Sequence, residues 1–131
     1  MIRYLDTSAA LKLLVDEPHS DALAADLERS LQDGDHLVAS WLLYTELHCA
    51  AQRRRGILVD AVNGVLDAVG LIDLKREDLH RAATSAWGLR SADAIHLATA
   101  LRIHADQLVS YDDELTATAA DAGLPTASPG R

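Results

Sequence analysis

Residues 2–8 of the chain, IRYLDTS, join a short apolar run to an acidic residue and two hydroxyl side chains. The run Ile2–Leu5 is rich in residues that favour β-strands, and Asp6 ends it. From Ser8 onward the spacing of apolar residues becomes that of a helix. This stretch therefore predicts a strand that is followed directly by a carboxylate and then by a helix.

The same order, strand then helix, recurs along the whole chain. After Ile2–Leu5, the apolar runs predict further strands at His36–Ala39, Leu71–Leu74, Gln107–Ser110 and Leu124–Ala127. The predicted helices are Ser8–Val15, His19–Gln32, Leu42–Arg54, Leu58–Val69, Arg76–Trp87, Ser91–His104 and Glu114–Ala122. Strands that alternate with helices require crossover connections, so we expect an α/β fold whose central, mostly parallel sheet is flanked by helices.

Composition narrows the class of protein. The chain has 131 residues, which suits one domain with its own core, and its formal net charge is −8. Such a charge argues against a general nucleic-acid coat, which needs a basic face. It does not exclude a nuclease, because an acidic site that holds cations takes its positive charge from the metal.

The chain contains one cysteine, Cys49, so no internal disulfide is possible. We expect Cys49 to be a small core residue of its helix. The N-terminus becomes acidic too early for a signal peptide, and no apolar stretch is long enough to cross a bilayer. We therefore expect a cytoplasmic protein.

Acidic residues stand at the ends of predicted strands. Asp6 follows the first strand and Asp112 lies two residues beyond the fourth, so both belong to one edge of a parallel sheet, where ligands bind. Asp93 lies in the first turn of a helix. Each of the three has an alternative role, because Asp6 and Asp112 can cap the helices that follow them and Asp93 can complement a helix dipole.

Glu46 is harder to explain as a structural residue. Its neighbours along the helix include Leu42, Leu43, Leu47 and Ala50, so it projects from the apolar face. An unpaired carboxylate at such a position costs several kcal/mol or takes up a proton. We therefore expect a metal ion or a partner cation beside it.

Four converging carboxylates suit a hard divalent cation, Mg²⁺ or Mn²⁺. Two such ions roughly 3.5–4 Å apart can activate water and hold the leaving oxygen of a phosphodiester. The hydroxyls of Thr7 and Ser110 are placed to orient the acids or their water molecules. The residues alone thus predict a metal-dependent enzyme that acts on phosphodiesters.

Four motifs in this order resemble a PIN domain, and among PIN domains the VapC toxins. They are YLDTS at residues 4–8, Glu46, DAIHLATA at residues 93–100, and SYD at residues 110–112. The resemblance extends from residue 1 to residue 126, and we expect residues 127–131 to form a flexible tail. Any one of these motifs is weak, but the four in this order and at this spacing are specific.

The resemblance implies a PIN-like three-layer fold and endonucleolytic RNA cleavage with Mg²⁺ or Mn²⁺. It also implies a homodimer, and inhibition by a VapB-type antitoxin. The acidic site that carries over consists of Asp6, Glu46, Asp93 and Asp112. Ser110 stands where a threonine is common, and Asp113 directly follows Asp112, so Asp113 is a further candidate for a supporting position.

Three arginines are candidate RNA contacts. Arg53 and Arg54 belong to a basic run at the end of the Glu46 helix, where they can contact an RNA backbone or complement the helix dipole. Arg90, just before the Asp93 helix, is the better candidate for a substrate phosphate.

Other functions are less compatible with the chain. Its 7 glycines do not cluster, which excludes a dinucleotide-binding loop and a P-loop. An aspartyl phosphatase usually has a second aspartate where this chain has Ser8. Two alternatives remain open, a PIN-like module that binds RNA or a protein without cleavage, and a nuclease that acts on DNA.

Overall fold

The computed structural model describes all residues from Met1 to Arg131. One five-stranded sheet in the order β3-β2-β1-β4-β5 forms its centre, and every neighbouring pair is parallel. The strands are β1 (Ile2–Leu5), β2 (His36–Ser40), β3 (Gly70–Ile72), β4 (Gln107–Val109) and β5 (Thr126–Ala127). The helices are α1 (Thr7–Lys12), α2 (Ser20–Gln32), α3 (Leu42–Arg53), α4 (Val59–Asp67), α5 (Arg76–Thr84), α6 (Ser91–Arg102) and α7 (Asp113–Asp121).

The predicted α/β class is confirmed, and the sheet is parallel throughout. Each predicted strand and helix is present, with differences at the ends. The prediction for β3 was wrong by up to two residues, because β3 ends where its partner β2 ends, with Ser40 paired to Ile72. Helix α5 ends at Thr84 rather than Trp87, before Ala86, which has a φ of 56°.

The core lies between the sheet and the helices. Tyr4 and Leu5 of β1 are fully buried, as are Leu43 and Leu47 of α3. The spacing of these leucines puts one face of α3 against the sheet, so Cys49 lies on another face. Cys49 is exposed, and the prediction of a core cysteine was wrong.

The strand order determines which residues can meet. Strand β1 lies between β2 and β4, so Asp6 leaves the middle of the sheet at its carboxyl edge. The N–H of Asp6 still donates to the carbonyl of Val109 in β4, at 3.2 Å. Asp112, three residues beyond Val109, therefore belongs to the same edge.

The last residues of the chain also make specific contacts. Ala127 belongs to β5, so this strand passes the expected domain boundary by one residue. Ser128 Oγ donates to the carbonyl of Ser110 at 2.6 Å, and Arg131 pairs with Asp113 at 2.6 Å. These contacts join the tail to the segment after β4. Among the helices, none combines the length and the apolar character needed to span a membrane.

Candidate active site

Asp6 lies at the end of β1 and is 2% exposed. Its Oδ1 accepts the N–H of Ala9 at 2.9 Å, which caps α1, and its Oδ2 accepts the hydroxyl of Ser110 at 2.6 Å. The hydroxyl of Ser8 lies 2.8 and 3.0 Å from the same two oxygens. Burial raises the pKa of Asp6, while the hydrogen bonds from Ser110, Ala9 and Ser8 oppose that shift. The carboxylate is thus held in one orientation by two elements.

Asp112 caps α7. Its Oδ1 accepts the N–H of Leu115 at 2.9 Å, and its own N–H donates to Ser110 Oγ at 3.1 Å. The capping roles that we left open for Asp6 and Asp112 are confirmed. Capping by Oδ1 leaves the second oxygen of Asp112 available to a ligand, so Asp112 can cap α7 and also take part in a metal-binding site.

Asp93 is the third residue of α6, and its side chain accepts no hydrogen bond from the protein. Burial, together with the negative charges of Asp112, Asp6 and Glu46, raises the pKa of Asp93 from 3.8 to about 6. The four predicted acids therefore lie close enough to repel one another. Asp93 is the member of the group that has no protein partner.

Glu46, beside which we expected a metal ion or a partner cation, accepts hydrogen bonds from two protein side chains. Its Oε1 lies 2.6 Å from Nε2 of His96 and accepts the hydroxyl of Thr7 at 2.8 Å. Burial raises the pKa of Glu46, but the hydrogen bonds from His96 and Thr7 outweigh it, so the pKa lies below its usual value. Glu46 is therefore held as a carboxylate.

Two residues outside the predicted set of site residues complete this contact. His96 is 1% exposed, and its Nδ1 lies 2.7 Å from the hydroxyl of Tyr4, which accepts the N–H of Ser40 at 3.0 Å. His96 lies three residues after Asp93, so the two share a face of α6. That spacing is visible in the sequence, but a contact between His96 and Tyr4, far apart along the chain, is not.

Of the other predicted residues, some contact the four acids and some do not. Thr7 and Ser110 touch the acids, as described above. Asp113 does not join them, because its side chain is 78% exposed and pairs with Arg131 at the start of α7. Arg53 and Arg90 are exposed at the ends of α3 and α6.

Arg54 is also exposed and lines a cleft of about 260 Å³ beside the site. The full lining of this cleft is Thr7, Ser8, Leu11, Lys12, Glu17, Arg54 and Tyr111.

The four acids form an open arrangement rather than a closed cage. No three histidine, cysteine, aspartate or glutamate side chains of the chain are gathered closely enough to enclose an ion. Asp93 lacks a protein partner, and Asp112 and Glu46 each accept protein hydrogen bonds at one oxygen only, so oxygens of these three acids remain available to a ligand. Both oxygens of Asp6 accept hydrogen bonds from the protein. Mg²⁺ keeps several of its water molecules and needs only one or two carboxylates, so the donor set fits such an ion.

Comparison with known proteins gives consistent matches. A model of the PIN domain matches residues 3–121. Ribonuclease VapC47 of Mycobacterium tuberculosis is 34% identical over 131 aligned residues, which cover 97% of this chain and 96% of that protein. Ribonuclease VapC46 of the same organism is 35% identical over 129 residues, which cover 96% of each chain.

The fold has a matching relative among solved structures. VapBC2 from Rickettsia felis, solved bound to a DNA fragment from its promoter, superposes with a TM-score of 0.72. The match covers 97% of this chain and 98% of that one at 17% identity, so it concerns the fold alone.

Proposed function

Because this chain belongs to the PIN-domain family and to its VapC ribonucleases, we propose that it is the toxin of a toxin–antitoxin pair and cleaves RNA internally with Mg²⁺ or Mn²⁺. In this proposal Asp6, Glu46, Asp93 and Asp112 form the catalytic and metal-binding site. The bond broken is an RNA phosphodiester, and the place of action is the cytoplasm.

Asp93 is the observation that carries the metal site. An aspartate that is half-buried among three other acids and accepts no hydrogen bond destabilises the fold when it is charged. A divalent cation at this position would offset the repulsion of all four acids. The raised pKa of Asp93 is thus a mark of a functional site.

The residues around the site prepare it for a phosphodiester. A divalent cation at these carboxylates supplies positive charge that activates a water molecule and stabilises the charge of the phosphate in the transition state. Asp6 is fixed by Ser110 and by α1, and Glu46 by His96 and Thr7, so their oxygens lose little freedom on binding. Water attack with loss of the 3′ oxygen would leave a 5′-phosphate and a 3′-hydroxyl.

The proposed partners are RNA, a VapB-type antitoxin and a second copy of the chain in a homodimer, which together form a heterotetramer or a larger complex. Arg90, Arg53 and Arg54 are exposed near the ends of α6 and α3 and supply positive charge for the RNA backbone. An apolar groove of about 400 Å³ lies between α2 and α4, and it includes Leu31 and Val65. We assign this α2–α4 groove to apolar side chains of the antitoxin, because 10 of the 12 residues that line it are hydrophobic.

The experiment that tests the function is RNA cleavage by the purified chain, free of antitoxin. We expect cleavage with Mg²⁺ or Mn²⁺, loss of cleavage in EDTA, and fragments that carry a 5′-phosphate. Asp93→Asn is the matched inactive control, since it preserves the shape of the side chain. A DNA oligonucleotide of the same sequence tests the alternative substrate.

Three results would each contradict a part of the proposal. Undiminished cleavage in EDTA would contradict the metal site. Equal cleavage of the DNA oligonucleotide would favour a nuclease that acts on DNA. Tight binding of RNA without cleavage, under all these conditions, would favour the non-cleaving module.

A further inference from the structure

We propose that Tyr4 and His96 are positioning residues that fix the carboxylate of Glu46, an inference that rests on the proposed function of the acidic site. Tyr4 lies in the middle strand β1, His96 in α6 and Glu46 in α3. The three side chains form one line of contacts from the core to the site, with distances of 2.7 Å from Tyr4 Oη to Nδ1 and 2.6 Å from Nε2 to Glu46 Oε1.

The direction of these hydrogen bonds follows from the available protons. The Tyr4 oxygen accepts the N–H of Ser40, so its own proton is free to donate, and Nδ1 of His96 is the acceptor within reach. Nδ1 must then be unprotonated and Nε2 must carry the hydrogen. That hydrogen points at Oε1 of Glu46, an ionised carboxylate that can only accept.

The other tautomer of His96, with its hydrogen on Nδ1, would break this order. Its Nδ1–H would donate to the Tyr4 oxygen, and the Tyr4 hydroxyl proton would then lose its acceptor in a fully buried position. The tyrosine thus selects one tautomer of His96, and that tautomer holds one oxygen of Glu46. Thr7 donates to the same oxygen, so Oε2 of Glu46 accepts no hydrogen bond from the protein and is available to a ligand.

The first test needs no metal. Long-range ¹⁵N–¹H spectra of the metal-free protein report which nitrogen of each of the 6 histidines is protonated, and His96→Gln assigns the signal. We expect Nε2 protonated and Nδ1 unprotonated at His96. In Tyr4→Phe, which keeps the ring and removes the donor, we expect the Nδ1 signal to move toward its protonated position. A protonated Nδ1 in the parent, or no change in Tyr4→Phe, would overturn the proposal.

The second test measures Mn²⁺ binding in two amide variants that differ in reach. The amide of His96→Gln can place an N–H near the position of Nε2, whereas the shorter His96→Asn can replace only Nδ1. We expect the Mn²⁺ dissociation constant to rise by about 10-fold or more in His96→Asn and to stay within about threefold of the parent in His96→Gln. Equal weakening in both variants would contradict a role for the Nε2–H.

A double variant separates positioning from general damage to the fold. If His96 acts through Glu46, His96→Asn has no further effect on Mn²⁺ affinity once Glu46→Gln is present. A full additional loss in that background would mean that His96 acts by another route. Failure of the parent to bind Mn²⁺ at all would contradict the proposed function, while the tautomer measurement would still test the role of Tyr4.

Discussion

The hydroxyl of Ser110 lies 2.6 Å from Oδ2 of Asp6, so the end of β4 holds the carboxylate that follows β1. The same oxygen of Ser110 accepts the N–H of Asp112. One hydroxyl therefore connects two of the four acids and sets their separation at the carboxyl edge of the sheet. A side chain with this position supports the site without being one of its acids.

Ser110→Ala should reduce RNA cleavage by about 10-fold or more, because Asp6 loses its shortest hydrogen bond and Asp112 loses an anchor. Ser110→Thr retains the hydroxyl and should keep activity near that of the parent. The measurement is kcat/KM for a defined RNA, together with the melting temperature of each variant. Equal activity of the alanine and threonine variants would show that this hydroxyl does not position Asp6.

Asp93→Asn should abolish cleavage and yet stabilise the metal-free protein. The pKa of Asp93 is about 6 in the folded state against 3.8 for a free side chain, so the folded state binds this proton more tightly than the unfolded state. Stability attributable to Asp93 is therefore present at low pH and is lost as the pH rises from about 4 to about 6. Asparagine does not ionise, so the Asp93→Asn variant does not lose this stability as the pH rises.

The pH dependence gives the measurement. In EDTA, the melting temperature of Asp93→Asn should exceed that of the parent above pH 7, and the difference should shrink toward pH 4. Added Mg²⁺ should stabilise the parent more than the variant, by mass action. A large loss of stability in Asp93→Asn at pH 7 would instead identify Asp93 as a structural residue of α6.

Arg90→Ala should raise KM for RNA several-fold with little change in kcat, because an exposed arginine next to the Asp93 helix contacts phosphate rather than the reacting atoms. The dependence of binding on salt should also weaken, by about one unit of the log–log slope. Arg29→Ala is the control, since Arg29 lines a different cleft with Met1 and pairs with Asp26. Equal effects of the two variants would argue against a specific role for Arg90.

Leu31→Asp should weaken the complex with the antitoxin by about tenfold or more, because it puts a charge into the apolar α2–α4 groove. RNA cleavage by the free toxin should be unchanged. Leu79→Asp is the matched control, since both leucines are 46% exposed and Leu79 lies on α5 outside the groove. A parent-like complex with Leu31→Asp would mean that the antitoxin binds elsewhere.

Much of the fold could be predicted because its signals are local. Alternating strands and helices are visible as apolar periodicity, and a parallel sheet places Asp6 and Asp112 at one edge whatever the order of the strands. The end of β3 was missed because it depends on where the neighbouring strand β2 ends, which the apolar pattern of the β3 segment does not show.

Part of the candidate site could also be predicted, because the signals for its acidic residues are local. The positions of the four acids follow from strand ends and helix faces. The partners of Glu46 do not, because His96 and Tyr4 reach it from other elements of the folded chain. We expected Glu46 to need a cation since it projects from an apolar face, but the structure provides a buried histidine and Thr7. Long-range hydrogen bonds of this kind leave no periodic pattern.

The central claim is that Asp6, Glu46, Asp93 and Asp112 bind a divalent cation that RNA cleavage requires. Anomalous diffraction at the manganese edge, from crystals of the protein soaked in Mn²⁺, tests it most directly. The account predicts a peak within coordination distance of Asp93 and of at least one other of these acids, and its loss in Asp93→Asn. An empty site in crystals whose dissolved protein cleaves RNA with Mn²⁺, or a peak bound only by other residues, would contradict it.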